Sequence, residues 1–562
     1  MKSNLIIEHY RYKILVVLIS SLVLSPACTD PSGSGLRLKK SYKADVVVYG
    51  GTSAGISAAV QVARMGRSVI IVEPGNRLGG LTSGGLGQTD IGNKQVIGGI
   101  SREFYRRIGE KYQDPGFWKW QTRDEYFSER TQTDRGEVAM WTFEPEVALK
   151  VFQEMLTESK IPVLTSQRID LQNGVVKRGP EILRIQTEQG IKISGRIFID
   201  ATYEGDLMAL AGVSYATGRE SSGKYGETLN GVQTAMAVYH QFPDGIDPYV
   251  VKGDPSSGLL PQVNNDPGTE GDGDDKIQAY CFRMCLTDVA ENMIAVEKPE
   301  GYDEKEYELL FRAVEAGYGG PFFMFSAMPN RKTDSNNKGP FSTDFIGRNY
   351  EYPDGDYATR ERIINEHLIY QKGLLWTLGN HPRVPASIRE EYSRWGLPRD
   401  EFEGSGNWTP QLYVREARRM ISSLVMTQNH CMQAGISAEK PVGMGAYTMD
   451  SHHVQRHIDT NGFVKNEGDV EVGNFDPYPI GLDAIVPFRQ ECSNLLVPVC
   501  LSATHIAYGS IRMEPVFMIL GQSAATIAVL ALDRKQPMHD VPYDVIKDEL
   551  IDYDQILENP KE

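Results

Sequence analysis

The apolar positions of this chain fall into two textures. Residues 45–49 (DVVVY) and 68–73 (SVIIVE) are unbroken β-branched runs without polar alternation, the pattern of parallel strands covered on both faces. Residues 54–65, rich in Ala and Val, lie between them and predict a helix, so the three pieces make a βαβ unit of about thirty residues. Farther on, the pattern predicts a helix over 144–158, a short strand over 161–164, an antiparallel ribbon over 175–187 and a buried strand over 196–200. From 238 to 436 the sequence turns aromatic, charged and rich in Pro and Gly, and a second, inserted domain of α+β type is expected there. Its acidic turn at 264–275 lacks calcium-loop spacing and reads as a solvated loop. Buried-strand texture returns after Gly443, and an apolar helix is expected over 517–532. The expected organisation is thus an α/β domain in two parts, 44–237 and 437–540, opened by the insert 238–436 and followed by a tail, 541–562.

The first residues have another character. Lys2, Arg11 and Lys13 precede an apolar run over 14–24 and small residues ending at Ala27-Cys28, the shape of a signal peptide over 1–27. The apolar run is short for a bilayer span. The stretch Leu24-Ser25-Pro26-Ala27-Cys28 resembles a bacterial lipoprotein signal, so the expected product is exported, periplasmic or on the cell surface, touching membrane only through a lipid on Cys28. Residues 28–43 read as a linker. With 58 basic and 74 acidic side chains the formal charge is −16, which argues against nucleic acid as a partner. Five cysteines follow Cys28, too few and too scattered for a disulfide scaffold or an iron–sulfur ligand set. Cys281 and Cys285 would share one face of a helix and read as core.

The turn after the first strand is Gly50-Gly51-Thr52-Ser53-Ala54-Gly55. Against the dinucleotide fingerprint G-x-G-x-x-G, Thr52 replaces the middle glycine. The geometry still works: Gly50 permits the tight turn, Gly51 lets backbone approach a pyrophosphate, and Gly55 lets the helix pack on the strand. Amides at the helix start, at Ser53 and Ala54, then face phosphate with the helix dipole behind them. Glu73 closes the second strand 23 residues after Gly50, where a carboxylate accepts hydrogen bonds from an adenosine ribose. A second glycine-rich stretch over 75–87, with Gly79, Gly80 and Ser83, suits backbone lying against an extended flat ligand and points to FAD rather than NAD. Residues 200–206 cap a returning strand with small and acidic groups, including Ala201. Near the far end, residues 507–515, with Gly509 and Ser510, lead to Pro515 and the apolar helix, whose N-terminus would stabilise negative charge on a reduced flavin.

Together these stretches resemble the FAD-dependent oxidoreductase family related to the flavoprotein component of heterodisulfide reductase, and specifically its secreted bacterial members without iron–sulfur domains. The resemblance lies in residues 45–55, 79–90, 200–220 (DATYEGDLMALAGVSYATGRE), 411–428 (QLYVREARRMISSLVMTQ), 447–456 (YTMDSHHVQR) and 496–525. It implies a glutathione-reductase-type fold: a Rossmann-like FAD-binding domain interrupted by the inserted α+β substrate domain. It places FAD against Gly50, Gly55, Glu73, Gly80, Ala201, Gly509 and Gly521. The cysteine clusters of the parent flavoprotein are missing here, so iron–sulfur centres are not expected.

A flavin carries hydride itself, so the chain needs only to orient substrate and move a proton. His505 is expected either to take a proton from a substrate alcohol or to be a structural histidine bonded to backbone, with Tyr508 and Arg512 binding the ring or substrate oxygens. Arg415, Arg418 and Arg419 are expected on one helix, where Arg415 would clamp a carboxylated substrate or pair with Glu416 and neighbouring acids. The group Asp450, His452, His453 and His457 has ligand chemistry but reaches i, i+4 spacing only on a helix that Asn461-Gly462 would break, so no metal is expected. The expected activity is oxidation or reduction of a small organic substrate, a carbohydrate or uronate among them, with the electron acceptor unspecified. A redox-neutral flavin-dependent lyase and a non-catalytic FAD-binding protein are the alternatives.

Overall fold

Val46–Tyr49 (β1) is buried at every position, as its unbroken β-branched run requires, and the computed structural model places it at the centre of a parallel sheet. That structure describes residues 40–128 and 138–560; the expected signal peptide and residues 28–39 of the linker lie outside the described residues. Ser53–Arg64 (α1) follows β1, capped at its start by Thr52, whose hydroxyl accepts from the Gly55 amide at 3.3 Å. Val69–Val72 (β2), Val163–Leu164 (β3), Ile197–Asp200 (β4) and Leu495–Leu496 (β5) complete a five-stranded sheet in the order β5-β4-β1-β2-β3, with every neighbouring pair parallel. Thus residues more than four hundred positions apart in the chain enter one sheet.

His505–Ile511 (α2) and Glu514–Arg534 (α3) close the domain. α3 is apolar along its length and buried from Glu514 to Leu532. It is long and apolar enough to cross a membrane, yet it is enclosed by protein and serves as a core helix. It packs on α1 at a spacing that only glycine permits: a Cβ on Gly521 would lie 2.2 Å from the Ala54 carbonyl oxygen; at the other side of α1, one on Gly55 would lie 1.9 Å from the carbonyl oxygen of Gly50 in the turn.

Several expectations change in this setting. Ser41–Lys43, read as the end of a linker, is a strand that pairs in parallel with Lys192–Ser194. Cys281–Phe282 and Met284–Thr287 are strands paired with Leu412–Tyr413 and Lys332–Ser335, so Cys281 and Cys285 share no helix; both are buried free thiols. Arg415, Arg418 and Arg419 do not lie on a helix either, because the chain there runs from the strand Leu412–Tyr413 to the strand Arg419–Met420. The region read as an insert contributes the 24-residue helix Tyr357–Asn380 and several small sheets, and from Lys40 on the chain packs as one compact unit.

Candidate functional site

In the strand-to-helix turn after β1 the glycines stand where a Cβ would have no room. Gly50 has φ +101°, and a Cβ there would press on the Ala201 backbone at 2.8 Å. Its amide continues the sheet to Val72, while the Gly79 amide donates to the Gly51 carbonyl at 2.7 Å, which lays the second glycine-rich stretch alongside the first. Gly79 and Gly80 both hold positive φ, and Gly80 sits against the Tyr203 phenol. Glu73, at the end of β2, accepts from the Gly51 amide at 2.5 Å and the Gly75 amide at 2.6 Å. Burial pushes its carboxyl up to about 7 although both amides pull it down. A cavity of about 270 Å³ opens here, lined by Gly50, Thr52, Glu73, Gly80, Thr202 and Tyr203 among others.

Asp200 ends β4 as a backbone organiser, accepting from the Thr202 amide and hydroxyl at 3.1 and 2.7 Å and from the Met208 amide at 2.8 Å. Thr52 donates its hydroxyl to the Ala201 carbonyl at 2.7 Å, fixing the helix cap to the same loop. The far end of the chain arrives through Glu514 at the start of α3. Its Oε2 accepts from Ser53 and Thr82, each at 2.6 Å, and its Oε1 from the Tyr203 phenol at 2.7 Å. One buried carboxylate therefore ties both glycine-rich stretches, the β4 loop and α3 together.

Behind α2 lies a buried polar cluster. His505 donates or accepts through both ring nitrogens, Nδ1 to Glu416 at 2.7 Å and Nε2 to Ser451 at 3.1 Å. Arg419 pairs with Glu220 at 2.6 Å and Glu416 at 2.7 Å. Arg512 pairs with Asp450 at 3.0 Å and donates to the Tyr413 phenol. Arg415 pairs with Asp344 at 2.9 Å, and His452 meets the other oxygen of Asp344 at 2.7 Å. Burial would raise the Asp450 and Asp344 carboxyls, but the surrounding cations hold both well below the usual carboxylate range. His453 differs from every other group here: it is 4% exposed, and neither ring nitrogen has a hydrogen-bond partner among the described residues. Burial, followed by the neighbouring His240, pushes its pKa down to about 3, so the imidazole is held neutral.

The family model for FAD dependent oxidoreductases matches residues 45–550. The chain belongs to that family. FAD is accordingly its cofactor, and the site's donors fit one end of it: glycines whose missing Cβ atoms leave backbone exposed, a helix start, and a strand-end carboxylate with lone pairs to spare for ribose hydroxyls. Gly50, Gly51, Thr52, Glu73 and Gly80 would hold the adenosine and pyrophosphate. No curated protein matches the chain. Among solved structures, a flavin monooxygenase mutant from Stenotrophomonas maltophilia matches at 19% identity over 32% of this chain and 42% of that one, with a TM-score of 0.19. L-amino acid deaminase from Proteus vulgaris matches at 20% identity over 33% and 53%, TM-score 0.23. L-proline dehydrogenase from P. horikoshii matches at 19% identity over 32% and 59%, TM-score 0.22. The chain therefore spans less than two thirds of the length of each.

In this FAD dependent oxidoreductase the other expected residues take these places. Ser53 bonds Glu514, and Ala54 carries the backbone that Gly521 touches. Ser83 bonds the Leu78 carbonyl. Gly509 and Ser510 sit inside α2 rather than in a turn before a helix: Gly509 admits the Asp450 backbone, where a Cβ would meet its carbonyl oxygen at 2.6 Å, and Ser510 bonds Tyr447 and Tyr478. Tyr508 is buried with its hydroxyl on the Val499 carbonyl at 3.2 Å. Unforeseen members are Glu514, Tyr203 and Asp344. Glu514 carried a signal all the same, an acid in the first turn of an apolar helix beside Pro515.

Proposed function

We propose that this family member transfers a hydride between FAD and a small, oxygen-rich organic substrate, a carbohydrate or uronate being the class that best suits the cluster. The observation that carries this reading is His453, a buried neutral imidazole whose two nitrogens have no hydrogen-bond partner among the described residues, beside ion pairs made by Asp344, Asp450 and Glu416. FAD, when bound, supplies the hydride acceptor or donor. His453 takes the hydroxyl proton of the substrate as its carbon–hydrogen bond breaks. Arg512 and Tyr413 fix one wall of the cluster. His505, joined to Glu416 and Ser451, holds that wall to α2 and acts as a positioning residue. Kinship to the heterodisulfide reductase flavoproteins, export and a lipid on Cys28 belong to the same reading and rest on the sequence resemblance.

Anaerobic mixing of the holoprotein with mono- and oligosaccharides and uronates tests it. Bleaching of the flavin absorbance by a substrate is expected, with His453→Asn slowing that bleaching by roughly 10²–10⁴-fold. Product formation without bleaching would favour the lyase, and unchanged rates in His453→Asn would remove the proposed proton acceptor.

A further inference from the structure

Besides Gly50, Thr52 and Glu73, the cavity of about 270 Å³ at the nucleotide turn is lined by Arg168, Tyr357, Glu361 and Ile364. The last three follow i, i+4, i+7 spacing and share one face over the first two turns of the helix Tyr357–Asn380, whose start is capped by the Asp356 side chain accepting from the Thr359 amide at 2.8 Å. That helix comes from the region read as an insert, yet its first turn is fastened to the nucleotide half. The Tyr357 hydroxyl donates to the Ile169 carbonyl at 2.9 Å, the Arg168 guanidinium lies 4.9 Å from the Tyr357 ring centroid, and Arg168 pairs with Glu361 at 2.5 Å. The pair forms a rim and not a plug, since its two side chains are 38% and 58% exposed.

The ligand sets the order of groups along the cavity. With pyrophosphate on the turn at Gly50–Thr52 and ribose hydroxyls on Glu73, the base leaves the ribose from the carbon across the ring from the phosphate chain. The lining left for it is Arg168, Tyr357, Glu361 and Ile364. An aromatic ring, a guanidinium plane and a branched aliphatic side chain suit the faces of a flat, uncharged heterocycle. Charge points the same way. The arginines of the lining are engaged by acids, Arg77 with Glu146 at 2.8 Å, Arg168 with Glu361, and Arg360 with Asp206 at 2.7 Å, while Glu73 and Glu204 line the cavity as well. This surplus of carboxylate disfavours a second anionic group away from the helix start and suits a neutral base whose exocyclic amino group donates.

We propose that the adenine of FAD lies under the first two turns of the helix Tyr357–Asn380, against Tyr357 and Ile364, and that the Arg168–Glu361 ion pair closes over it as a latch. Release of the cofactor then requires the pair to open. The proposal rests on FAD as the cofactor and is independent of the hydride-transfer reading.

Diluting the holoprotein and following the fluorescence of released flavin tests this. Arg168→Ala and Glu361→Ala are each expected to speed release about tenfold, the loss of one charged contact at the base. Together they should do little more than either alone, because both open the same latch. The melting temperature of the flavin-free protein should hardly move, since the pair is partly exposed. Arg489→Ala, which breaks the exposed pair with Asp540 at 2.8 Å, should leave release unchanged. Ile364→Trp, which fills the place of the base, is expected to leave purification with roughly a tenth of the wild-type flavin or less. Wild-type release in both latch variants, or full flavin in Ile364→Trp, would overturn the proposal and leave the FAD site standing. Release speeded equally by Arg489→Ala would overturn it too, because the effect would then belong to surface charge at large. Protein that takes up no FAD overturns both the proposal and the FAD site.

Discussion

Replacing Gly55 by alanine adds a single carbon at the most crowded point of the nucleotide turn. That Cβ would sit 1.9 Å from the Gly50 carbonyl oxygen, 3.0 Å from its carbon and 3.3 Å from the Ala201 side chain. Comfortable carbon contacts are roughly 3.5 Å, so α1 and the turn must part by about 1.5 Å. The obstruction is backbone, which cannot swing aside as a side chain would. Overpacking of this kind costs about 1–3 kcal/mol, and a backbone clash belongs at the upper end. The displacement also moves the helix start away from the phosphates, so FAD affinity is expected to fall roughly a hundredfold, the equivalent of about 3 kcal/mol. The assay is the ratio of flavin to protein absorbance after parallel purification, followed by FAD titration of the stripped protein and thermal melting. Gly223→Ala is the matched control, because a Cβ there meets nothing within 4 Å. Wild-type FAD content and melting in Gly55→Ala would refute the placement of the pyrophosphate on this turn.

Other expectations concern charge. Lys332 pairs with Glu144 and Glu401 at 2.7 Å and with Asp400 at 2.9 Å, so Lys332→Met should lower stability in chemical denaturation by about 3–5 kcal/mol. Burial, then repulsion from Glu471, Asp450 and Asp344, pushes Asp469 up to about 9 from 3.8. The folded state thus keeps a proton that the unfolded chain releases; the stability it brings is complete below 3.8 and lost as pH rises through 9. Asp469→Asn should therefore melt above the wild type at alkaline pH, and flatten the wild-type decline by up to about 1.4 kcal/mol per pH unit. His505→Asn, which breaks the bonds to Glu416 and Ser451, should destabilise by about 1–3 kcal/mol, whereas His453→Asn, which breaks none, should leave the melting curve in place.

The nucleotide half was legible because its determinants are local. The β-branched runs of β1 and β2, the helix between them, Glu73 and the long apolar helix α3 each announce themselves within a dozen residues. The substrate half was not, because its geometry comes from partners far away in the chain. Arg415, Arg418 and Arg419 are expected on one helix, yet each pairs with a different distant acid, Asp344, Asp206 and Glu220, from a segment that joins two short strands. His505 and His453 are indistinguishable in sequence. Their difference lies in what surrounds the ring nitrogens: Glu416 and Ser451 for one, no acceptor or donor for the other. Gly509 reads as a turn residue until the Asp450 backbone is seen to lie against it.

The account depends on the first turn and α3, joined by Ser53 and Glu514 at 2.6 Å, forming one FAD site. The most direct measurement is the nucleotide released when the purified, never-reconstituted protein is denatured. One FAD per chain, and far less from Gly55→Ala, is the predicted result; protein that carries no flavin and takes up none when FAD is supplied would contradict it.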